Sequence, residues 1–239
     1  MTVACRSAVL RGWFARHPHV EITVEGPETC RFGPRTLTEG HPGATITELN
    51  DNNPMVCADS WSVPGPLATL ASIALGPVAL AGVVAGPVML TTNLADDPQL
   101  FATLERYGLL EPPSVDGSAQ VKLKCGALTA FVPMANAQRE DIEEMYQERF
   151  GRSFYVRESV EGPWDEADVL GRPFALYRLR WNEDDGAPLL TVQAMADLAG
   201  KLGPAQMVHA FNVMNGFEET AGIPEDITDY PNAPILVEG

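Results

Sequence analysis

The chain has 239 residues, 45% of them hydrophobic and 20% charged, a balance that excludes a disordered polymer and leaves room for a sizeable core. Its 16 basic against 32 acidic residues give a net charge of -16, which speaks against nucleic acid and anionic membranes as partners. Cys5, Cys30, Cys57 and Cys125 are too widely spaced for a zinc or redox motif and read as reduced thiols.

A helix near Ser7–Arg16 and a strand over Val20–Val24 open the chain. Residues 26–47, rich in Gly, Pro and Thr, are expected to form a loop. From Ser60 to Ala95 there is no Asp, Glu, Lys or Arg, a stretch long enough to span a bilayer. Pro64, Pro66, Pro77 and Pro87, with Gly65, Gly76, Gly82 and Gly86, divide it into short elements instead. These are a strand near Ser60–Val63, a helix from about Leu67 and a strand Val88–Thr92. Leu67, Leu70, Ala71, Ala74, Leu75 and Val78 have the spacing of a buried helix face. The Pro64-Gly65-Pro66 turn ahead of it points open N–H groups and a positive dipole end at whatever lies in front.

Asp97-Pro98 starts a helix to about Tyr107, and a strand pair is expected within Ala119–Pro133, where Lys122 and Lys124 would share a face. A charged, solvated helix follows over Arg139–Phe150, closed by Gly151. Strands are expected at Ser153–Arg157, Pro173–Trp181 and Pro188–Gln193, the last two joined by a turn at Asp185-Gly186. The final helix, Pro204–Asn215, places Met207, Ala210, Phe211 and Met214 on one face. The fold class is α+β: a mixed β-sheet with helices packed on it.

Pro64, Gly65, Thr69, Ala74-Leu75, Pro77 and Ala81-Gly82 match, without a gap, a turn Asn-Pro-Gly-Cys-Tyr-Pro-Thr followed by Leu-Ala-Leu-x-Pro-Leu and Ala-Gly-Leu-Ile. Asp197, Lys201, Gln206, Asn212, Met214, Gly216-Phe217, Glu219-Thr220 and Gly222 keep the register of Asp-Asn-Leu-x-Lys-Gly, Gln, then Asn-x-Met-x-Gly-Phe-x-Glu-Thr. Asp141–Val156 follows a helix and strand ending in Phe-Val-Arg, and Glu48-Leu49-Asn50 and Arg16–Glu21 are weaker echoes. On these residues the chain resembles N-acetyl-gamma-glutamyl-phosphate reductase, of the semialdehyde dehydrogenase group. The resemblance implies a remnant of a dinucleotide-binding domain over residues 1–47 and a catalytic and dimerisation domain over 48–239. It also implies a homodimer formed through the C-terminal sheet.

The departures concern the chemistry. The family cysteine falls on Pro66, which removes the thiolate that takes the acyl group. The family histidine motif falls near Tyr107–Ser114, where the chain reads YGLLEPPS. VACRSAVLRGWF lacks the glycines that let a backbone approach a pyrophosphate, and too few residues separate Val24 from Glu48 to complete a nucleotide domain. No nicotinamide cofactor and no metal are expected.

Lys201 and His209 are the candidate catalytic residues, Lys201 to hold an anionic group and His209 to move a proton. Trp61, Pro66, Gln206 and Asp197 are the candidate substrate-binding residues, with Asp197 placed to orient Lys201 four residues on. Cys57 is expected to be an inert buried thiol. The reading is a cytoplasmic, cofactor-independent, non-redox enzyme of cyclase, isomerase or lyase type acting on a small molecule. Its alternative is a non-catalytic ligand-binding or dimerising partner built on the same scaffold.

Overall fold

A computed structural model describes residues 1–23, 30–50, 52–117, 123–135, 137–159, 162, 164–182 and 188–231, the side chains of residues 52 and 53 excepted. Five short strands make the first sheet: β1 (Thr2–Ala4), β2 (Glu21–Thr23), β3 (Cys30–Phe32), β4 (Arg35–Glu39) and β5 (Ser60–Val63), in the order β2-β1-β3-β4-β5. β1 runs parallel to β2, and β4 runs parallel to β5, with antiparallel pairs between β1 and β3 and between β3 and β4. Helix α1 (Ala8–Phe14) crosses from β1 to β2, capped by the Ser7 hydroxyl, which accepts from the Leu10 N–H at 3.3 Å.

The hairpin β3–β4 corrects the expectation of a loop over residues 26–47. Gly33-Pro34 makes a two-residue turn, Gly33 at φ 59°, and Phe32 pairs with Arg35 across it. Beyond the turn, Thr36 and Thr38 alternate with the buried Leu37, which is strand patterning. Gly33-Pro34 mark the hairpin turn, while Gly40, Pro42 and Gly43 belong to a turn region over 40–46 that follows β4. The first sheet then takes its last strand from Ser60–Val63, beyond residue 47.

Helix α2 (Asn52–Cys57) leads into β5, and α3 (Pro66–Leu80) leaves it. β6 (Met89–Thr92), α4 (Leu100–Glu105), β7 (Ser114–Asp116), β8 (Gly126–Pro133), α5 (Arg139–Phe150), β9 (Val156–Glu158), β10 (Ala175–Asn182), β11 (Leu189–Ala196) and α6 (Pro204–Asn215) complete the chain. The second sheet has the order β7-β6-β8-β11-β10-β9 and is mixed, parallel only at its two edges. β8 is a single strand paired with β6 and β11, so the expected pair within Ala119–Pro133 is one strand there, and residues 118–122 lie outside the described residues. Lys124 stands in a bend, its N–H donating to Glu166 Oε2 at 2.9 Å, while Lys122 and the Asp185-Gly186 turn lie outside the described residues.

Each sheet is organised by one helix. From Leu67 to Ala79 every residue of α3 is buried, so the helix is covered all round. It forms one core with Leu90, Ala130, Val192 and Tyr177 of the second sheet and Ile142, Tyr146 and Phe150 of α5. Those three α5 residues are a narrow buried stripe on an otherwise solvated helix. α6 is buried from Pro204 to Met214 and packs against Val3, Phe14, Leu37 and Val63 of the first sheet and its helix. A C-terminal segment supplies the centre of an N-terminal sheet. Among the described residues no helix is long and apolar enough to cross a membrane.

Candidate functional site

The parallel strands β4 and β5 pair Glu39 with Val63 at their carboxyl ends, and the chain turns there through Pro64-Gly65 into α3. Carboxyl ends of parallel strands are where open α/β sheets place ligand crevices. A cavity of about 430 Å³ lies at this point, lined by Glu39, Gly40, Gly65, Pro66, Leu67 and residues 94–98. Pro66 occupies the first helical position, where its missing N–H costs nothing. A Cβ on Gly65 would stand 3.0 Å from Asp97 Oδ2. Glycine there lets the Asp97 carboxylate close against the cap of α3.

The other Asp97 oxygen accepts from the Gln99 N–H at 2.8 Å, which fixes the side chain ahead of α4. Glu39 is exposed at the rim, and the crowding of its carboxyl by the surrounding chain, together with the Asp97 charge, pushes its pKa above the ordinary carboxylate value. Glu39, Asp96 and Asp97 are the charged side chains of the lining, all of one sign.

Behind the turn lies a second polar group. The Lys201 ammonium donates to both oxygens of Glu48 at 2.7 Å, with side-chain exposures of 1% and 5%. Burial alone would raise the Glu48 carboxyl, but the Lys201 and His209 charges and the Lys201 hydrogen bonds hold it below the usual range. His209 Nε2 lies 3.0 Å from Glu219 Oε2, and its Nδ1 faces Glu48 Oε1 at 3.7 Å. The Glu219 carboxyl is held below the usual range first by this hydrogen bond. Tyr155 covers the ring at 4.3 Å between centroids. Lys201, Glu48, His209 and Glu219 therefore form a chain of alternating partners from the core to the half-exposed Glu219.

Gln206 ties this chain to the turn. Its Nε2 donates to the Pro64 carbonyl at 3.2 Å and to Thr69 Oγ1 at 3.0 Å, and Thr69 donates to the same carbonyl at 3.1 Å. The start of α6 is thus bonded directly to the turn that holds Pro66. Among the sequence-selected residues, Lys201, His209, Gln206 and Pro66 come together around Glu48 and the turn. Asp197 does not join them: its carboxylate accepts from the Gly171 and Ala199 N–H groups, each at 2.7 Å, and Lys201 takes Glu48 instead. Trp61 packs half-buried on the core of the first sheet and α6 and borders a different hollow with His41, Thr45 and Arg106. Cys57 is exposed, not buried, because it ends the short α2 with its side chain toward solvent.

Sequence reasoning missed Glu39 and Asp97 as site residues and Glu48 as the partner of Lys201. The loop expectation over residues 26–47 hides Glu39, and the sequence marks Asp97 only as a helix start. Glu48 had a signal: a lysine in an otherwise apolar helix lead-in needs a buried carboxylate somewhere in the chain.

No protein-family model matches the chain, and no curated protein sequence matches it. Solved structures do. Aspartate semialdehyde dehydrogenase II from Vibrio cholerae is 11% identical with a TM-score of 0.51, over 72% of this chain and 68% of that one. The same protein complexed with ASA gives a TM-score of 0.50 at 11% identity, over 72% and 67%. A probable aspartate-semialdehyde dehydrogenase from Pseudomonas aeruginosa gives 0.50 at 14% identity, again over 72% and 67%. At these identities the likeness is one of fold: the chain has a semialdehyde dehydrogenase-like α+β scaffold.

Proposed function

We propose that this scaffold serves a cofactor-independent, non-redox enzyme of lyase, isomerase or cyclase type, whose substrate is a small molecule bearing a cationic amine. The observation that carries the reading is the cavity in front of Gly65-Pro66, which presents Glu39, Asp96 and Asp97 and has no Lys or Arg among the described residues of its lining. A cavity of that sign attracts an ammonium group and repels an acyl phosphate or a dinucleotide. A carboxyl raised by crowding beside a second carboxylate suits general acid/base chemistry, so Glu39 moves the proton and Asp97 holds the substrate cation.

Pro66 shapes the floor and offers no covalent route. Lys201, His209 and Gln206 act on this site by position: the Lys201–Glu48–His209 chain fixes α6, and Gln206 fixes the turn. In the same reading residues 1–47 descend from a dinucleotide-binding unit, as in the N-acetyl-gamma-glutamyl-phosphate reductase resemblance. The β1–α1 turn supports a lost cofactor site. The Arg11 guanidinium donates to the Cys5 and Arg6 carbonyls there, filling the space ahead of the helix.

Calorimetric titration with small alkyl diamines and with dicarboxylates of equal length tests the reading. Diamines are expected to bind, at least tenfold more weakly to the Asp97→Asn protein, while dicarboxylates, NADH and NADPH give no heat. Binding of the dicarboxylates or of either dinucleotide with micromolar affinity overturns it.

A second reading, a dimerising partner without catalysis, is favoured by the second sheet. Met89, Thr91, Thr129, Phe131, Thr191 and Gln193 alternate with the core residues of their strands and remain half-buried or exposed, a face suited to another copy of the chain. The enzyme reading also uses this face, as the homodimer contact.

A further inference from the structure

β1 and β3 run antiparallel with Ala4 opposite Arg31, and the same register sets Cys5 opposite Cys30. Opposed residues on antiparallel strands have Cα atoms about 4.5–5.5 Å apart, inside the roughly 4.4–6.8 Å that a disulfide spans. The two thiols lie close enough to shift each other's titration, and both are fully buried. They share one core with Trp13, Phe14 and Phe211, whereas Cys125 belongs to a separate cluster and Cys57 is exposed. All four are free thiols.

We propose that Cys5 and Cys30 form a reversible dithiol switch that closes to a cross-strand disulfide on reaction with a hydroperoxide. The two partners are unequal. The hydrogen bond from Cys30 lowers the Cys5 thiol to about 7 against the opposing effect of burial, and the Ser7 N–H and Arg11 guanidinium add to the lowering. Cys30, which holds its proton in that bond and is more deeply enclosed, is pushed up. Cys5, whose own carbonyl accepts from the Arg11 guanidinium at 3.2 Å, has the cationic neighbour and is assigned as the attacking thiol, with Cys30 as the resolving thiol.

The Cys5 sulfur attacks one peroxide oxygen and the O–O bond breaks, giving a sulfenic acid and releasing the other oxygen as water or an alcohol. Cys30 then attacks the Cys5 sulfur; the S–S bond forms, the S–O bond breaks, and the oxygen leaves as water with the Cys30 proton. Two thiols have been oxidised and one peroxide reduced. Cys5 lies one residue beyond β1, directly before the exposed Arg6.

Trypsin separates the partners. Cleavage after Arg6, Arg16 and Arg31 leaves Cys5 in peptide 1–6 and Cys30 in peptide 17–31. The full chain is treated with a stoichiometric amount of hydrogen peroxide, denatured, alkylated and digested. The expected product joins those two peptides, is two hydrogens lighter than their sum, and separates on reduction, while Cys57 and Cys125 remain alkylated. Peroxide that leaves Cys5 and Cys30 alkylatable, or that links either to Cys57, overturns the proposal. In a Cys30→Ser chain, which cannot close the bond, Cys5 is expected to be trapped as a sulfenic acid by a cyclic diketone; an unlabelled Cys5 overturns its role as the attacking thiol.

Discussion

The Lys201 ammonium is as deeply enclosed as the leucines around it, and the Glu48 carboxylate makes that possible. Removing one partner of a buried ion pair leaves the other charge without water or counterion, at a cost of about 3–5 kcal/mol. Urea unfolding of Lys201→Met should show a loss of that size, and the double variant Lys201→Met, Glu48→Leu should recover most of it. A near-neutral single substitution would mean the pair is open to solvent. Glu39 has the opposite sign. Its carboxyl is raised in the folded chain, so between the ordinary 4.5 and its folded value the native state binds the proton more tightly, and stability falls as pH rises. Glu39→Gln is therefore expected to raise the melting temperature at neutral pH while abolishing turnover of the amine substrate. Lower stability in Glu39→Gln would contradict the raised carboxyl.

Local chemistry settles some elements and not others. Gly216 sits at φ 67°, closing α6, with the Phe217 N–H donating to the Asn212 carbonyl at 3.0 Å. Gly216→Ala should cost about 1 kcal/mol in thermal melts, since the turn demands a left-handed residue. His17, ahead of β2, faces Asn212 through Nε2 at 2.8 Å, and its Nδ1 accepts the His19 N–H at 3.2 Å. Burial lowers its pKa from 6.5, so the unfolded chain takes the proton first. Stability is expected to fall as pH drops below about 6.5 in thermal melts, and His17→Gln should flatten that slope.

The bounds of α5, α6 and β5 were legible in the sequence, because their caps, prolines and charge breaks are local signals. β3 and β4 were not: each is short, and their partners are set by strands elsewhere in the chain. Motif register singled out Lys201 and Gln206, and His209 stands on the same helix; the structure brings the three close to one another near the Pro64-Gly65 turn. Their partners Glu48, Glu219 and the Pro64 carbonyl come from three-dimensional packing, which no spacing along α6 encodes.

The described residues build two large cores, one around α3 and one around α6, beside a small cluster at Cys125, and leave a sheet face open between Met89 and Gln193. Static light scattering at micromolar concentration should report twice the mass of the chain, and Phe131→Glu, in the middle of that face, should return it to the monomer. A monomeric parent chain would remove the sheet face from the proposed assembly. The placement of α6 also bears on how the chain comes into being. Translation delivers β1 to β5 first, yet the helix that fills their core emerges after residue 203. At roughly 5–20 residues per second, a nascent first sheet waits many seconds with Val3, Phe14 and Leu37 uncovered. Ribosome-bound chains ending before Pro204 should thus be cut readily by protease within residues 1–63 and recruit holdase chaperones, and release of the complete chain should end both.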